Sequence, residues 1–468
     1  MLKNITIYSI GNIIPQAATF LLLPLYTRYL IPAEYGIVQS MHVMAGILTV
    51  LMTLAIDRSI YRFYFEYNTI DKRKAFLGTI TISLLSISTI TLFILLIMRS
   101  TVALIFESIS FYPYFAYAIT TVYLTVLGII PKVYFQVEEK AGKFIKFSLG
   151  EFFLKTILII FFVVYAGRGA EGMLLGGLLS AFFLSPVYIY VISKIIIPKW
   201  DKNIFIENIK YSYPMVVGLL SGWILNLSDR VFIERFLSIT DVGIYSLAYK
   251  IAGILMISTT AINQAYNPIF FKIANDDSYV NPKKKLFTYN KNISIITVVF
   301  AIIITMFSKE FIMILSHEYS SAYSLVPIIM VGIIFSQIGG LYNRAYYQEK
   351  TTIQPTLIGL AAAVLNVLLN ILWVPRYGIV GAAYSTVISF MLMFILIYSF
   401  SKRYYYIPIN WSTLLPIFTL FIFISVFFFY FNFSIIIGLL LKCSLIILVC
   451  LFFWYKYKDA LLKKPIQT

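Results

Sequence analysis

Arg28-Tyr29-Leu30-Ile31-Pro32-Ala33-Glu34-Tyr35-Gly36 returns about 207 residues later as Arg235-Phe236-Leu237-Ser238-Ile239-Thr240-Asp241-Val242-Gly243. At the same offset Gly11 falls on Gly218, Ala45-Gly46 on Ala252-Gly253, Thr53 on Thr260 and Phe63 on Phe270. Further along, Gly169-x-x-Gly172 is answered by Gly378-x-x-Gly381. A chain that echoes itself in this way is built from two copies of one unit.

The unit belongs in a bilayer. The 468 residues are 60% hydrophobic and 12% charged, and a soluble globule needs about twice that charge to cover its surface. Apolar runs of about 20 residues, each able to cross about 30 Å of hydrocarbon, recur throughout. They predict helices near 5–28, 36–57, 76–98, 111–131, 144–166, 172–196, 211–235, 243–267, 286–307, 322–344, 354–375, 379–400, 412–431 and 434–456. The expected fold class is all-α integral membrane, with about fourteen transmembrane helices. These divide into a first six-helix lobe over 1–198, a linker over 199–210, a pseudo-symmetric second lobe over 211–402 and an appended helix pair over 403–468. The linker carries Lys199, Trp200, Lys202 and Phe205, a composition suited to a short helix in the membrane interface.

The net charge of +17 is distributed by loop. Lys72-Arg73-Lys74, Lys140, Lys143 and Lys146, Lys283-Lys284-Lys285 and Lys402-Arg403 all fall on the side of the N-terminus, and few cations fall on the other. Such asymmetry is the mark of cytoplasmic loops and places both termini inside the cell; no nucleic-acid partner is implied. The first apolar run has no small-x-small site after it, so it reads as a retained helix. Cys443 and Cys450 share one face of an apolar segment and read as packing residues.

Polar residues enter the membrane in stripes. His42, Gly46, Thr49, Thr53 and Asp57 recur at steps of three and four, and Lys250, Gly253, Thr260, Gln264 and Asn267 keep the same helical periodicity in the second copy. Lipid does not tolerate such faces, so both are expected to look onto protein or water. Asn12, Gln16, Asn366 and Asn370 add amides, while Gln337 and Arg344 add polar groups to the tenth expected helix. Glu151 and Lys155 stand four apart in the order that favours a pair, so Lys155 is either neutralised along its helix or a cavity cation. Lys250 has no acidic residue within a turn of its own helix, so it is a cavity cation, a side chain paired across helices or one that snorkels to the interface. Arg58 and Asp57, near the inner end of the second expected helix, belong either to a solvated helix terminus or to the cavity, and Arg230, beside Asp229, allows a pairing within its lobe as well as a cavity role. Arg28 and Arg235 are expected to cap helix C-termini, and Gly36 and Gly243 to open the next helices after a tight turn. The only histidines, His42 and His317, have no metal-ligand spacing, and no phosphate loop, dinucleotide turn or nucleophile elbow is present. Neither a metal, a cofactor nor an enzymatic activity is expected.

With this repeat box, the trailing helix pair and Tyr377-Gly378-Ile379-Val380-Gly381-Ala382-Ala383, the chain resembles the Wzx-type polysaccharide and O-antigen flippases of the multidrug/oligosaccharidyl-lipid/polysaccharide superfamily. The resemblance implies two inverted-V lobes around a central cavity, alternating access, and movement of polyprenyl-pyrophosphate-linked oligosaccharide across a bacterial cytoplasmic membrane. It implies membrane lipids as surroundings and a polysaccharide polymerase and chain-length regulator as partners in lipopolysaccharide or capsule synthesis. Carried over to this chain, the cations that meet pyrophosphate or acidic sugars are Arg58, Lys155, Arg230 and Lys250. Asn12, Gln16, Thr53, Gln264, Asn366 and Asn370 then bond hydroxyls. A cation antiporter of the same superfamily is the alternative, with Asp57, Glu151 and Asp229 available for ion coupling; a membrane polymerase or ligase is a second.

Overall fold

A computed structural model describes residues 11, 14–276, 279–349, 351, 353–431 and 438–445. Among these residues there are helices and turns, and no strand. The chain runs through α1 (Leu23–Tyr29), α2 (Pro32–Thr53), α3 (Ile56–Phe63), α4 (Ile70–Ile97), α5 (Phe111–Val137), α6 (Ala141–Tyr165) and α7 (Gly169–Ile195). The second half follows with α8 (Lys202–Leu227), α9 (Asp229–Phe236), α10 (Ile239–Asn275), α11 (Pro282–Leu315), α12 (Val326–Gln348), α13 (Ile353–Ser401) and α14 (Trp411–Tyr430).

Among the described residues ten helices are long and apolar enough to cross a membrane, or eleven if α8 and α9, bent by 47°, count as one span. The expected fourteen differ from this for definite reasons. α13 carries two expected spans in 49 residues, about 74 Å at 1.5 Å per residue, and folds across the bilayer only by breaking at Gly378, whose φ is +62°. Of the first expected helix only part is described, and of the last only 438–445. The linker residues do not form a separate helix. Asp201 accepts from the N–H groups of Asn203 and Ile204 and starts α8, which continues from Lys202 into the span. Cys443 is exposed and unbonded; Cys450 lies outside the described residues.

The two repeated boxes open their helices earlier than their glycines. Pro32 sits in the first turn of α2 and Glu34 accepts the Ile31 N–H at 3.3 Å, while Ser238 caps α10 by accepting the Asp241 N–H at 3.1 Å. Gly36 and Gly243 therefore fall one turn inside α2 and α10, not at their openings. There the helices cross so closely that a Cβ on Gly36 would run into the Ile239 carbonyl, and one on Gly243 into the Pro32 carbonyl. The contact is reciprocal, as a pseudo-twofold relation between the copies requires. Small residues at a crossing let two backbones meet, and here each copy supplies one.

Around this crossing the halves are joined at the end that holds Arg28 and Arg235. Tyr319 donates to the Leu30 carbonyl at 2.8 Å, and its ring meets Tyr35 edge-on. Ser108 donates through its N–H (2.7 Å) and Oγ (2.5 Å) to Glu234, and Arg235 pairs with Glu107. A single apolar core there contains Leu23, Tyr26, Tyr35 and Val38 of the first half together with Val242 and Tyr245 of the second. Toward the opposite, lysine-rich end, the stretch of α10 after Gly253 packs on α11 and α12 of its own half. That end is braced within the first half by Glu138, which accepts from Tyr64 Oη at 2.7 Å and Lys140 Nζ at 3.3 Å, with Arg73 at 4.0 Å. The Tyr64 bond, then the Lys140 and Arg73 charges, hold its carboxyl below the usual carboxylate range against partial burial.

Candidate functional site

Three titratable side chains sit well inside membrane-length helices and are nonetheless exposed: His42 on α2, Lys155 on α6 and Lys250 on α10. Each lies ten residues or more, about 15 Å or more, from the start of its helix. The charges of Lys155 and Lys250 both act on His42, and those of Lys155 and Arg230 act on Lys250, so the group faces one space. An exposed charge at that depth is tolerated only beside water or a polar ligand. The space is thus a polar interior between the halves, with α2 and α6 contributing from one side and α10 from the other.

Lys155 is free for a reason that local spacing hides. Glu151, one turn before it, pairs with Lys132 of α5 instead. Among the described residues neither Lys155 nor Lys250 has a carboxylate within 4 Å, and Lys155 lies along the open surface left by Gly177. Arg230 is nearby but buried. Its Nη1 donates to the Asn226 carbonyl at 2.6 Å, and its guanidinium lies over the rings of Tyr249 (4.3 Å) and Tyr245 (5.1 Å). The aromatic faces stabilise the cation without neutralising it.

Asp229, adjacent in sequence, does not pair with Arg230. Its Oδ1 accepts from Asn370 at 2.9 Å, and its Oδ2 from Tyr245 Oη at 2.6 Å and Thr386 Oγ1 at 2.7 Å. Asn370 also donates to Asn366 Oδ1 at 3.1 Å, and Ser228 donates to the same oxygen at 3.4 Å. Asp229, Tyr245, Asn366, Asn370 and Thr386 are all fully buried. Asn366 and Asn370, expected in the cavity, therefore serve a buried carboxylate.

Other expected members are dispersed. Thr53 is buried, and its Oγ1 accepts the Ala55 N–H at 3.2 Å where the helix breaks; Leu54 and Ala55 have φ of 45° and 55°, in the left-handed region. That break ends the first polar stripe, so Asp57 and exposed Arg58 belong to α3. Gln264 is half-buried beyond Gly253, Gln16 is exposed on the helical stretch before α1, and Asn12 lies outside the described residues. Arg28 ends α1, exposed, and Arg235 ends α9. His42 was not among the expected cavity residues, and its place in the first polar stripe is the signal that pointed to it. Lys132 carried no such signal, since its partner is 19 residues away on the next helix. Among the described residues no three His, Cys, Asp or Glu side chains come together to hold a metal.

Two family models match the chain. That of the polysaccharide biosynthesis proteins covers residues 1–274, and that of the MatE family residues 214–372. A probable flippase, AglR, and a probable low-salt glycan biosynthesis flippase, Agl15, both of Haloferax volcanii, are 20% and 28% identical over 245 and 218 residues. The matched segments take 49% and 43% of this chain, which spans about half the length of each, 49% and 44%. Lsg locus putative protein 1 of Haemophilus influenzae is 23% identical over 402 residues, 81% of this chain and 94% of that one. The fold is that of the lipid II flippase MurJ in an inward closed conformation, with a TM-score of 0.73 at 17% identity over 97% of this chain and 99% of that one. An inward-facing multidrug resistance MATE transporter follows at 0.61 and 16%, over 86% and 97%.

Proposed function

This chain belongs to the polysaccharide biosynthesis protein family, and from that premise we propose that it flips an oligosaccharide linked to polyprenyl pyrophosphate from one leaflet to the other. The observation that carries the reading is the pair of uncompensated cations, Lys155 and Lys250, exposed well inside membrane-length helices of the two halves with His42 beside them. Phosphate oxygens lose their hydration on leaving water, and charge-assisted bonds from two ammonium groups replace it. The lipid tail needs no such passage and stays in the bilayer.

In this reading the lysine-rich end and both termini are cytoplasmic, the membrane is a bacterial cytoplasmic membrane, and a polymerase and chain-length regulator act on the product. The joined end around Gly36 and Gly243 is closed, and the substrate enters from the lysine-rich end. Alternating access opens the first as it closes the second. Of the three ion-coupling candidates Asp229 is the best placed, because Glu151 is held by Lys132 and Asp57 lies beyond the helix break.

The buried, cation-free Asp229 also favours a second reading, an H⁺- or Na⁺-coupled antiporter of organic cations. Proteoliposomes decide between them. A fluorescent polyprenyl-pyrophosphate oligosaccharide that becomes accessible on both leaflets supports the flippase; liposomes that leave it on one leaflet but exchange an organic cation against an ion gradient support the antiporter.

A further inference from the structure

Arg344 is 4% exposed, lies at the lysine-rich end of α12, and has no carboxylate within 4 Å among the described residues. Its Nε donates to Asn267 Oδ1 at 2.8 Å, its Nη2 to Asn263 Oδ1 at 2.9 Å and its Nη1 to the Gly340 carbonyl at 3.3 Å. The guanidinium also stacks at 4.6 Å from the centre of the Tyr266 ring, whose hydroxyl is fixed by Asn290 at 2.7 Å. An arginine has only donors, so both asparagines must turn their oxygens toward it. Their amide nitrogens then point away, and among the described residues neither donates to another group. Asn267 is exposed and Asn263 half-buried, on the stretch of α10 that packs on α11 and α12 of its own half. They stand eight and twelve residues from the end of α10, about 12 and 18 Å, at a depth where an exposed amide needs water or a ligand.

We infer that Arg344, Asn263 and Asn267 form a second oxyanion subsite at the lysine-rich mouth, which receives the substrate's diphosphate before Lys155 and Lys250 do. The inference rests on the flippase reading and adds an entry station to it. Two outward amides supply N–H donors, and the guanidinium behind them supplies positive charge that no neighbouring carboxylate cancels. A purely structural arginine would use the same bonds to hold α12 on α10, so the test must separate charge from packing.

Asn267→Asp does so. The aspartate has the same shape and still accepts from Arg344, so α12 stays docked, but it removes the outward donor and cancels the charge. Inorganic pyrophosphate is titrated by calorimetry into the full chain carrying Lys155→Ala and Lys250→Ala, which silences the central cations. The subsite predicts residual binding that Asn267→Asp weakens about tenfold or more without lowering the melting temperature. Binding unchanged by Asn267→Asp, or no residual binding at all, overturns the entry station while flipping by the wild type still stands or falls on its own assay. Short-chain phosphatidylglycerol is titrated in parallel. Weakening confined to pyrophosphate supports the entry role, and weakening seen with the lipid instead assigns the site to headgroups and overturns it.

Discussion

The two halves treat their membrane carboxylates in opposite ways. In the first, Glu151 is half-buried and matched by a cation, Lys132, from the neighbouring helix. In the second, Asp229 is fully buried and matched by three neutral donors, with Arg230 turned aside onto two tyrosine rings. The repeat thus sets the helices and the Gly36–Gly243 crossing, while the charges have diverged between copies. Each half leaves a lysine free beside the cavity, Lys155 and Lys250, and the second also keeps an anion sequestered behind it.

The sharpest way to break this contrast is at Asp229. Asp229→Ala strands the buried donors of Asn370, Tyr245 and Thr386, each at about 1–3 kcal/mol, and is expected to cost about 3 kcal/mol or more. Thermal unfolding in detergent reads the loss; a melting temperature near that of the wild type would show that the carboxylate does not organise this half. Gly36→Ala comes next. Its methyl group forces α2 from α10, at about 1–3 kcal/mol, and loosens the joined end. A cysteine replacing buried Ser246, in a background without Cys443 and Cys450, should then react faster with a water-soluble maleimide.

Lys132→Gln converts the first half's arrangement. Glu151, released, turns to Lys155 at the favourable four-residue spacing and neutralises it. Flipping is expected to fall about tenfold, equivalent to about 1.4 kcal/mol, and to recover in Lys132→Gln/Glu151→Gln. Failure of the double variant to recover would place the role of Lys132 in packing. The smallest effect lies at Glu138, whose folded-state carboxyl titrates below its unfolded value of about 4.3. Its stabilisation is therefore fully present above that value and disappears as pH falls through the depressed one. The gap in melting temperature between wild type and Glu138→Gln, worth under about 1 kcal/mol for so exposed a cluster, should be constant from pH 6 to 8 and close below about pH 4.

Helix positions were legible because bilayer crossing demands long apolar runs, and the repeat was legible because both copies keep the same box. The two polar stripes, one with His42 and one with Lys250, were legible from periodicity alone. The capping signals that place Gly36 and Gly243 inside their helices were also present, in Pro32-x-Glu34 and Ser238-x-x-Asp241. The break after Thr53 was not, since Leu54 and Ala55 are ordinary helix formers held in left-handed geometry by the surrounding fold. Nor was the fate of Glu151, Asn366 and Asn370. Within one helix Lys155 is the nearest cation to Glu151, and only packing of α5 against α6 brings Lys132 closer. Both asparagines read as cavity amides until Asp229 is seen to use them.

In the proposed function, cations from both halves jointly hold the substrate's phosphates. It is tested most directly by flipping of polyprenyl-pyrophosphate oligosaccharide in proteoliposomes of wild type, Lys155→Ala, Lys250→Ala and the double variant, each checked for folding. Either single substitution is expected to cut the rate by about tenfold or more, and the double variant to be inactive. A double variant that flips at the wild-type rate would contradict it.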